Sequence, residues 1–569
     1  MSTHPTTDAR YVLHPELYVG LIAAVGVQHV KFSLFQDEGV SASHYLGGRY
    51  GKGEVGEFVL IEGQTSIAFG RIVEVRIEGA SSSSSHGSSD DVLPNALASV
   101  QLLGTIAADT LRVSAGVGIY PRLFDRVYSA PHWFVAAIPQ NIETSSNESS
   151  RVLSLGYVGT EQDARVGVRP ERLFGRHCAI LGATGGGKSW TTARIIEEVI
   201  KHKAKVVLLD PTGEYRSLHH EHVLHCHLAE TPELAPGSVR TSLPASCFNE
   251  SDLLALFEPS GRLQGPKLWA AIRSLRLAHV RPDLATNGLI RKILQPKKPV
   301  EDAEATPAIA KQLDDPTTPF DVNLLVKQIE QECCFPTNFN DSKSWGKESG
   351  DFSFCLSLIS RITMALTMPA LACVFKPSGT DVTVIVDDFL DSDKRLLRVC
   401  MGGIPYEFKA REIVANAIGR HLLAGARNGR FEGQPIVLVL DEAHCFLGRS
   451  VGSEDTTSRL DAFEIIAKEG RKFGICLLLA TQRPRDMTES VLSQMGTLIV
   501  HRLTNDRDRE LVERACGEID KSAAAFLPNL KPGQAAVIGV DFPIPLTIQM
   551  DPPSAKPFSD GPDFQKSWA

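Results

Sequence analysis

The sequence predicts an α/β protein in which a parallel-sheet core follows a small N-terminal β-barrel and is interrupted by a bundle of helices. Short strands separated by turn residues fill the first part of the chain. Apolar strands alternating with amphipathic helices follow, which is typical of a parallel sheet covered on both faces. A long helical stretch without a strand pattern then divides this alternation.

The bulk composition is that of a globular protein with several domains. The chain has 569 residues, 43% hydrophobic and 22% charged, which argues against a disordered, fibrous or membrane class. Its formal net charge is -8, so any nucleic-acid surface must be local, such as a groove or pore. The 11 cysteines lack paired spacing, which indicates a reducing compartment. Since we find no export signal and no bilayer-length apolar run, we expect a cytoplasmic protein without a membrane anchor.

Residues 1–150 are expected to form the β-barrel. The clearest strand is Arg71–Glu78, where Val73, Val75 and Ile77 alternate with charged residues, so one face should be buried. The serine-rich stretch Gly79–Asp91 is expected to be a mobile surface loop.

Residues 151–248 and 375–550 are expected to form the parallel-sheet core. The predicted strands are His177–Leu181, Val206–Leu209, Val382–Val386, Ile436–Leu440, Ile475–Ala480, Thr497–Val500 and Ala535–Val540. Most are continuous apolar runs, as expected of parallel strands covered on both faces.

The helical insertion is expected over residues 249–374 and a tail over 551–569. Within the insertion, Gln295–Pro319 has many prolines and charges and favours a loose connection over a helix. The tail carries Phe558, Phe564 and Trp568, which indicate either docking onto another surface, such as a neighbouring subunit, or a frayed end.

A full P-loop pattern, G-x4-G-K-[ST], runs from Gly182 to Ser189 between an apolar strand and an amphipathic helix. Its glycines let backbone amides face phosphate oxygens, and the helix N-terminus adds positive charge. Lys188 is predicted to pair the β and γ phosphates, and Ser189 to bind magnesium. The predicted nucleotide-binding residues are Gly182, Thr184, Gly185, Gly186, Gly187, Lys188, Ser189 and Trp190.

Adjacent acids follow the apolar strand Ile436–Leu440. Asp441 is predicted to hold the magnesium shell, and Glu442 to orient and deprotonate the attacking water. The alternative is an acid pair that caps the next helix. Gln482, after the strand Ile475–Ala480, lies where loss of the γ-phosphate can be sensed, although it could be an ordinary strand-end glutamine.

The residues around Arg471 precede that same strand, at the edge of the sheet opposite the phosphate pocket. An arginine there could serve a neighbouring subunit in trans, and the alternative is a plain surface arginine.

Together these segments resemble the HerA family of hexameric DNA-translocating ATPases, relatives of FtsK-type motors, in its bacterial version. The matching residues are Arg176-His177, Gly182 to Ser189, Asp210 to Tyr215, Asp441 to His444, Glu469 to Gly474, and Thr481 to Pro484. The N-terminal strands, including Gly70 to Val73, resemble the barrel of that family. The resemblance is weakest across the insertion, and Trp190 directly after Ser189 departs from the pattern.

The resemblance implies a RecA-like ATPase core that uses ATP and magnesium and works as a homo-hexamer on double-stranded DNA. By position, it implies that Lys188 and Ser189 bind nucleotide, Glu442 is the catalytic base and Gln482 the sensor. It also makes Arg471 the trans finger and Arg176 a further phosphate-side arginine, with a loosely defined role for Asp210. The implied partners are a NurA-like nuclease, a sirtuin-like NAD hydrolase or another antiphage defence effector.

Two other functions are alternatives to that of a DNA translocase or helicase. One is an ATP-binding scaffold that organises and activates a partner enzyme without moving DNA. The other is a conjugation or segregation pump, which the lack of membrane segments disfavours. A histidine-rich segment, with His225 and His227 on one strand face, suggests metal binding only weakly, because tetrahedral sites draw ligands from separated elements.

Overall fold

The chain divides into two compact units, one formed by Met1–Val199 with Met495–Ser554 and the other by Ile200–Gln494 with Ala555–Ala569. The structure is a computed structural model. It describes residues 12–35, 42–46, 48–77, 96–141, 151–159, 164–232, 234–316, 318–447, 460–516, 525–559 and 568. The predicted loop Gly79–Asp91 and the tail residue Phe564 lie outside this part of the chain.

The first unit begins with a closed antiparallel barrel. Its elements are β1 (Tyr18–Val25), β2 (His29–Leu34), β3 (Ala42–Tyr45), β4 (Gly48–Gly51), β5 (Phe58–Glu62), β6 (Ser66–Ile77), β7 (Ala96–Ala107), β8 (Val113–Ala115), β9 (Arg126–Ser129) and α1 (His132–Asn141). Six strands close in the order β2-β1-β9-β5-β6-β7, because β7 pairs back onto β2. Val30, Phe32, Val59 and Ile72 pack in its fully buried interior.

The predicted alternation over Arg71–Glu78 is only partly correct. The strand is longer, and a register shift between Ile72 and Glu74 changes which side chains face the interior. Ile72 is fully buried, Val73 and Val75 are half-buried, and Ile77 is exposed. Glu78 lies outside the described residues.

After the barrel the first unit continues with the strand-loop-helix segment that carries the P-loop. The elements are β10 (Leu153–Tyr157), β11 (Arg165–Val168), α2 (Pro170–Phe174), β12 (Cys178–Leu181) and α3 (Lys188–Ile200). All four residues of β12 are buried, and the helix starts at the P-loop lysine.

The second unit is a parallel sheet with helices. Its elements are β13 (Lys205–Asp210), β14 (Val223–His227), β15 (Val239–Ser242), α4 (Glu250–Phe257), α5 (Gly261–Val280), α6 (Lys298–Glu304), α7 (Pro307–Asp314), α8 (Leu325–Glu332), α9 (Asp351–Thr367), α10 (Ala372–Phe375), β16 (Thr380–Asp381), α11 (Val382–Asp391), β17 (Leu396–Cys400), α12 (Ala410–Arg427), β18 (Ile436–Leu440), α13 (Ala462–Glu469), β19 (Ile475–Thr481) and α14 (Glu489–Leu492). The strands run parallel in the order β19-β18-β13-β17-β14-β15-β16.

The chain then returns to the first unit with β20 (Thr497–Val500), α15 (Asp506–Cys516), β21 (Gln534–Gly539) and β22 (Phe542–Met550). There β12 pairs in parallel with β20 in full register, and β21, β22 and β10 extend the sheet with antiparallel pairs. The predicted fold class, a parallel-sheet core with an N-terminal barrel and a helical insertion, is confirmed.

Two predictions about the second unit are wrong. The segment Val382–Val386 is not a strand but the start of α11, because Asp381 caps the helix by accepting from the Thr383 amide. The strand in this part of the chain is instead β17. It was not predicted because Arg398 interrupts its apolar run.

The stretch Gln295–Pro319 is also more ordered than predicted. It contains α6 and α7, and Pro299 and Pro307 stand in the first turns of these helices, where no amide donor is required. Val300, Ala303 and Leu313 from these helices pack on Leu277 and Ile290 in a buried cluster.

Part of the C-terminal tail, Ala555–Ala569, packs within the second unit. The Ser217 hydroxyl donates to the Lys556 carbonyl at 2.6 Å, and the Phe558 amide donates to the Glu214 carbonyl at 2.9 Å. The Arg216 guanidinium lies 3.7 Å from the centre of the Phe558 ring. This stretch of the tail therefore docks on its own chain.

Among the described residues, no single helix has the length and apolar composition needed to cross a bilayer. Asp351–Thr367 together with Pro369–Phe375 meets both conditions as a pair, but the two segments are bent by 74°.

Candidate nucleotide-binding site

The P-loop of the first unit connects β12 to α3 through residues with unusual backbone angles. Gly185 has φ 76° and Gly187 has φ 105°, both in the region that favours glycine. Lys188 and Ser189 are buried in the first turn of α3, Trp190 is half-buried beside them, and Thr184 is exposed on the loop. The loop thus has the geometry that presents backbone amides to an anion.

His501, which follows the end of β20, packs against this loop. A Cβ added to Gly182 would lie 2.7 Å from the Cβ of His501, and one added to Gly187 would lie 3.4 Å from its ring. Gly182 is therefore needed for close packing on His501, whereas a Cβ on Gly187 would lie at an ordinary contact distance from the ring.

The His501 ring is held by hydrogen bonds at both nitrogens. Nε2 lies 2.9 Å from the Thr191 hydroxyl, and Nδ1 lies 2.9 Å from the Gln534 carbonyl. Since a carbonyl only accepts, Nδ1 carries the proton and Nε2 accepts from Thr191. Burial lowers the pKa of His501 to about 4, with a further contribution from the charge of Lys188. The imidazole is therefore neutral at neutral pH.

Gly533 supports the same loop from the segment before β21. Its amide donates to the Gly186 carbonyl at 3.4 Å, and its Cα lies 3.4 Å from the position of a Cβ on Gly187. Neither His501 nor Gly533 was predicted from the sequence, because neither belongs to a local motif.

Arg176 lies at the amino end of β12, whereas the P-loop follows its carboxyl end. The four strand residues between them span roughly 13 Å at 3.3 Å per residue. Its Nε lies 3.5 Å from an Asp541 carboxylate oxygen, and the side chain is 43% exposed. Arg176 therefore lies at the end of β12 opposite to the P-loop of its own chain.

In the second unit, Asp441 and Glu442 directly follow β18, and Asp441 is fully buried. Glu442 has φ 45°, which is uncommon for a residue with a side chain and is found at functional sites. The Gln482 amide donates to Glu442 Oε1 at 2.5 Å, and His444 Nδ1 lies 3.3 Å from Oε2. The structure thus brings the predicted base and the predicted sensor into direct contact.

His444 stands in a short 3-10 turn, Ala443–Cys445, beside this carboxylate. Its Nδ1 lies 3.2 Å from the Thr481 hydroxyl, and its Nε2 lies 3.7 Å from the Cys445 sulfur. Hydrogen bonding to Cys445 and to the Glu442 carboxylate raises the pKa of His444 to about 9, against the effect of burial. An imidazolium therefore faces Glu442 at neutral pH.

A cavity of about 340 Å³ opens at Glu442 and Gln482. Arg411 lines it and is fixed by bonds to three backbone carbonyls, including that of Pro211 at 2.8 Å. Its guanidinium lies 3.8 Å from the Tyr406 ring centre. Arg411 is therefore a fixed cation in the wall of this cavity.

Asp210, loosely assigned from the sequence, is a buried structural acid. It accepts from the amides of Gly213, Glu214 and Tyr215, and from Arg398 Nε at 2.7 Å. Both charged side chains are 0% exposed. This pair shapes the 211–215 turn, which lines the cavity.

Arg471 is exposed in a 3-10 turn, Gly470–Phe473, at the amino end of β19. Gln482 follows the carboxyl end of that strand, and β18 runs parallel to it, so Glu442 lies at the same end as Gln482. The strand places Arg471 roughly 20 Å from Gln482 at about 3.3 Å per residue. Within the second unit, Arg471 lies on the edge opposite Glu442.

The histidine-rich segment forms no shared metal site at His225 and His227 among the described residues. His225 Nε2 bonds the Leu218 carbonyl at 3.0 Å, and His227 Nδ1 lies 2.9 Å from the Ser238 hydroxyl. Each ring is used in local packing.

The chain is similar to a family model and to curated relatives that are described as helicases. The model described as "Helicase HerA, central domain" matches residues 153–317, which include the P-loop and Asp210. A probable helicase of Methanocaldococcus jannaschii is 24% identical over 494 residues, or 81% of each chain. A probable DNA double-strand break repair helicase HerA of that organism is 24% identical over 417 residues, covering 70% of this chain and 76% of the relative. Among solved structures, VirB4 of Thermoanaerobacter pseudethanolicus aligns with TM-score 0.40 and 15% identity, covering 72% of this chain and 98% of that one.

Proposed function

Because the chain belongs to the HerA helicase family of ATP-hydrolysing P-loop enzymes, we propose that it is a ring-forming, magnesium-dependent motor that moves along double-stranded DNA. The observation that carries this proposal is the Glu442 carboxylate, held between Gln482 and His444 at the end of a buried strand. A positioned carboxylate is what a hydrolase requires and what a passive nucleotide-binding protein does not.

We assign nucleotide binding to the P-loop. Its backbone amides and Lys188 bind the phosphates, as the two positive-φ glycines and the start of α3 at Lys188 support. The Ser189 hydroxyl and the Asp441 carboxylate are hard oxygen donors of the kind that suits magnesium. Bound magnesium neutralises charge on the phosphates.

We assign proton abstraction to Glu442. Its carboxylate takes a proton from the attacking water, while the Gln482 amide and the His444 ring fix the two carboxylate oxygens. When a γ-phosphate is present, Gln482 is suited to exchange its bond to Glu442 for one to the phosphate. This exchange would release the base only when substrate is bound, which fits the sensor role.

We assign Arg471 and Arg176 to the site of a neighbouring subunit. Each lies at the amino end of its strand, away from the groups at the carboxyl end that handle nucleotide in its own chain. A cation supplied in trans neutralises charge in the phosphoryl-transfer transition state. A single subunit then lacks a complete site, so the working unit is a closed ring, which we propose to be a homo-hexamer.

The DNA substrate and the partner rest on the family. Relatives are named as DNA double-strand break repair helicases, and the resemblance implies a partner such as a NurA-like nuclease, a sirtuin-like NAD hydrolase or another defence effector. We propose that ATP turnover feeds double-stranded DNA to, or regulates, such a partner.

ATP turnover measured with and without linear duplex DNA, at several salt concentrations, tests the proposal. A motor is expected to bind duplex DNA with strong salt dependence and to hydrolyse ATP faster on it. Lys188→Ala serves as the inactive control. If DNA neither binds in a salt-sensitive way nor accelerates turnover with a partner present, the chain is instead an ATP-binding scaffold that organises a partner enzyme.

A further inference from the structure

The first unit contains a second cavity, of about 500 Å³, between the barrel and the β21–β22 hairpin. Arg49, Glu57 and Arg71 line it from the barrel, and Lys531 and Thr547 line it from the other side. Small-molecule sites typically have volumes of roughly 300–1,000 Å³. Residues 182–189 are absent from the described residues that line this cavity, although Gln534, whose carbonyl bonds His501 beside the P-loop, is among them.

The charges around this cavity favour an anion. Three cationic side chains, Arg49, Arg71 and Lys531, face it together with two acids, Glu54 and Glu57. Burial raises the pKa of Glu57 to about 7, against the hydrogen bonds from Ser129 and from backbone amides that lower it. At neutral pH, Glu57 is therefore only partly ionised, and the cavity carries net positive charge.

Arg71 is preorganised within the cavity wall. Its Nε donates to the Gly56 carbonyl at 3.0 Å, and one terminal nitrogen donates to the Thr547 hydroxyl at 3.3 Å. The guanidinium also lies 3.9 Å from the ring centre of Phe526. A guanidinium fixed in this way loses little conformational entropy when an anion binds.

The remaining walls combine apolar surface with side-chain amides. Val55, Val135 and Leu530 supply the apolar surface, and Asn529 and Gln549 supply amides that can both donate and accept hydrogen bonds. Apolar walls with a few convergent polar groups are typical of sites for organic ligands. Together with the cations, this lining suits a heterocycle that carries phosphate.

We propose that this cavity is a second ligand site that binds a small phosphate-bearing anion of nucleotide size. Arg49 and Lys531, both exposed at its rim, contact the phosphates, and Arg71 contributes a fixed charge from within the wall. The P-loop contributes no residue to this site, so it stands independently of the proposed motor activity.

Equilibrium dialysis of the full chain with ADP tests the proposal. We expect two ADP molecules per wild-type chain, and one per chain in the double variant Arg49→Ser/Lys531→Ser. Both substituted side chains are exposed, so the variant is expected to fold. The matched control, Arg112→Ser/Arg151→Ser, removes two exposed cations of the same unit that do not line the cavity, and it should still bind two.

Lys188→Ala separates this proposal from the assignment of the P-loop. It is expected to retain one ADP per chain, and inorganic pyrophosphate should displace that ADP because the cations recognise phosphate. One ADP in wild type with none in Lys188→Ala would overturn the second site and leave the P-loop assignment intact. One ADP in both, abolished by Arg49→Ser/Lys531→Ser, would support the second site and contradict the P-loop assignment. Two ADP molecules bound by the double variant, or ADP that pyrophosphate cannot displace, would also overturn the proposal.

Discussion

The region around the P-loop and the region around Glu442 hold their histidines in opposite protonation states. In the first unit, His501 is buried against glycines and bonded to a hydroxyl and a carbonyl, and its pKa is lowered to about 4. In the second unit, His444 touches the Cys445 sulfur and a carboxylate, and its pKa is raised to about 9. The first ring is neutral and the second is charged.

This difference shows how the two regions are suited to different tasks. The P-loop region relies on backbone shape, so a neutral ring that fills space and fixes Thr191 supports it without adding charge. The Glu442 region relies on charge pairing, because a buried carboxylate must remain ionised to take a proton. Substitutions in the first region should therefore change nucleotide affinity, and substitutions in the second should change turnover.

The largest expected effect is on turnover. Glu442→Gln removes the base but keeps the size of the side chain, so kcat for ATP should fall by about 10²- to 10⁴-fold. The Kd for ATP should stay within about threefold of wild type, because the P-loop is unchanged. Phosphate release and equilibrium ATP binding measure the two quantities, with exposed Glu432→Gln as the matched control. A comparable loss of binding would contradict the division of tasks.

A large effect on stability is expected at the buried ion pair of the second unit. Arg398→Met leaves the Asp210 charge without its partner at 0% exposure, which should cost about 3–5 kcal/mol of the free energy of unfolding. Arg430→Met breaks an exposed pair with Asp391 and should cost at most about 1 kcal/mol. Urea denaturation compares the two, and Asp210→Asn/Arg398→Met should recover part of the loss. Equal shifts for the two arginines would mean that burial does not set the strength of this pair.

His501→Ala is expected to weaken ATP binding by roughly 10- to 30-fold, since it removes two hydrogen bonds of about 1 kcal/mol each beside the P-loop. His501→Gln can donate to the Gln534 carbonyl and accept from Thr191, so it should restore most of the affinity. Titration with a fluorescent ATP analogue measures both variants, with exposed His29→Ala as control. If Ala and Gln behave alike, the ring acts through bulk alone.

The smallest expected effect is on the pH dependence of stability. The folded pKa of His501, about 4, lies below the ordinary value of 6.5, so its contribution is lost as pH falls from about 6.5 toward 4. His444 behaves oppositely, because its folded pKa of about 9 makes its contribution full below about 6.5 and lost as pH rises through 9. When the pH is lowered from 7 to 5, the urea concentration at the unfolding midpoint should therefore fall less in His501→Gln than in wild type. His225, whose pKa is also lowered to about 4, keeps part of the acid sensitivity in both.

The sequence was sufficient wherever the signal is local. The strands Ile436–Leu440 and Thr497–Val500 have the predicted bounds, because short buried parallel strands are continuous apolar runs. The positions of Glu442 and Gln482 after the ends of buried strands were predicted from the sequence, but their contact was not, because the order of strands in the sheet is not a local property.

The sequence was insufficient where distant residues decide the structure. Thr191 and His501 are 310 residues apart, so no local pattern connects the histidine to the P-loop. Arg398 interrupts an apolar run, so β17 was not predicted as a strand. A charged residue inside such a run is itself a signal of a buried ion pair, here with Asp210. The β-branched residues of Val382–Val386 favour a strand, but the Asp381 cap and the helical spacing of Val382, Val386 and Phe389 prevail.

The most direct test of the shared site is to mix two inactive variants. Arg471→Ala subunits keep the base and Glu442→Gln subunits keep the arginine, so about one quarter of the interfaces in randomly mixed rings are complete. ATP turnover of the mixture should therefore exceed that of either variant alone severalfold, with subunit exchange verified by differently labelled chains. Turnover that stays at the level of the separate variants, despite verified exchange, would contradict the assignment of Arg471 to the neighbouring site.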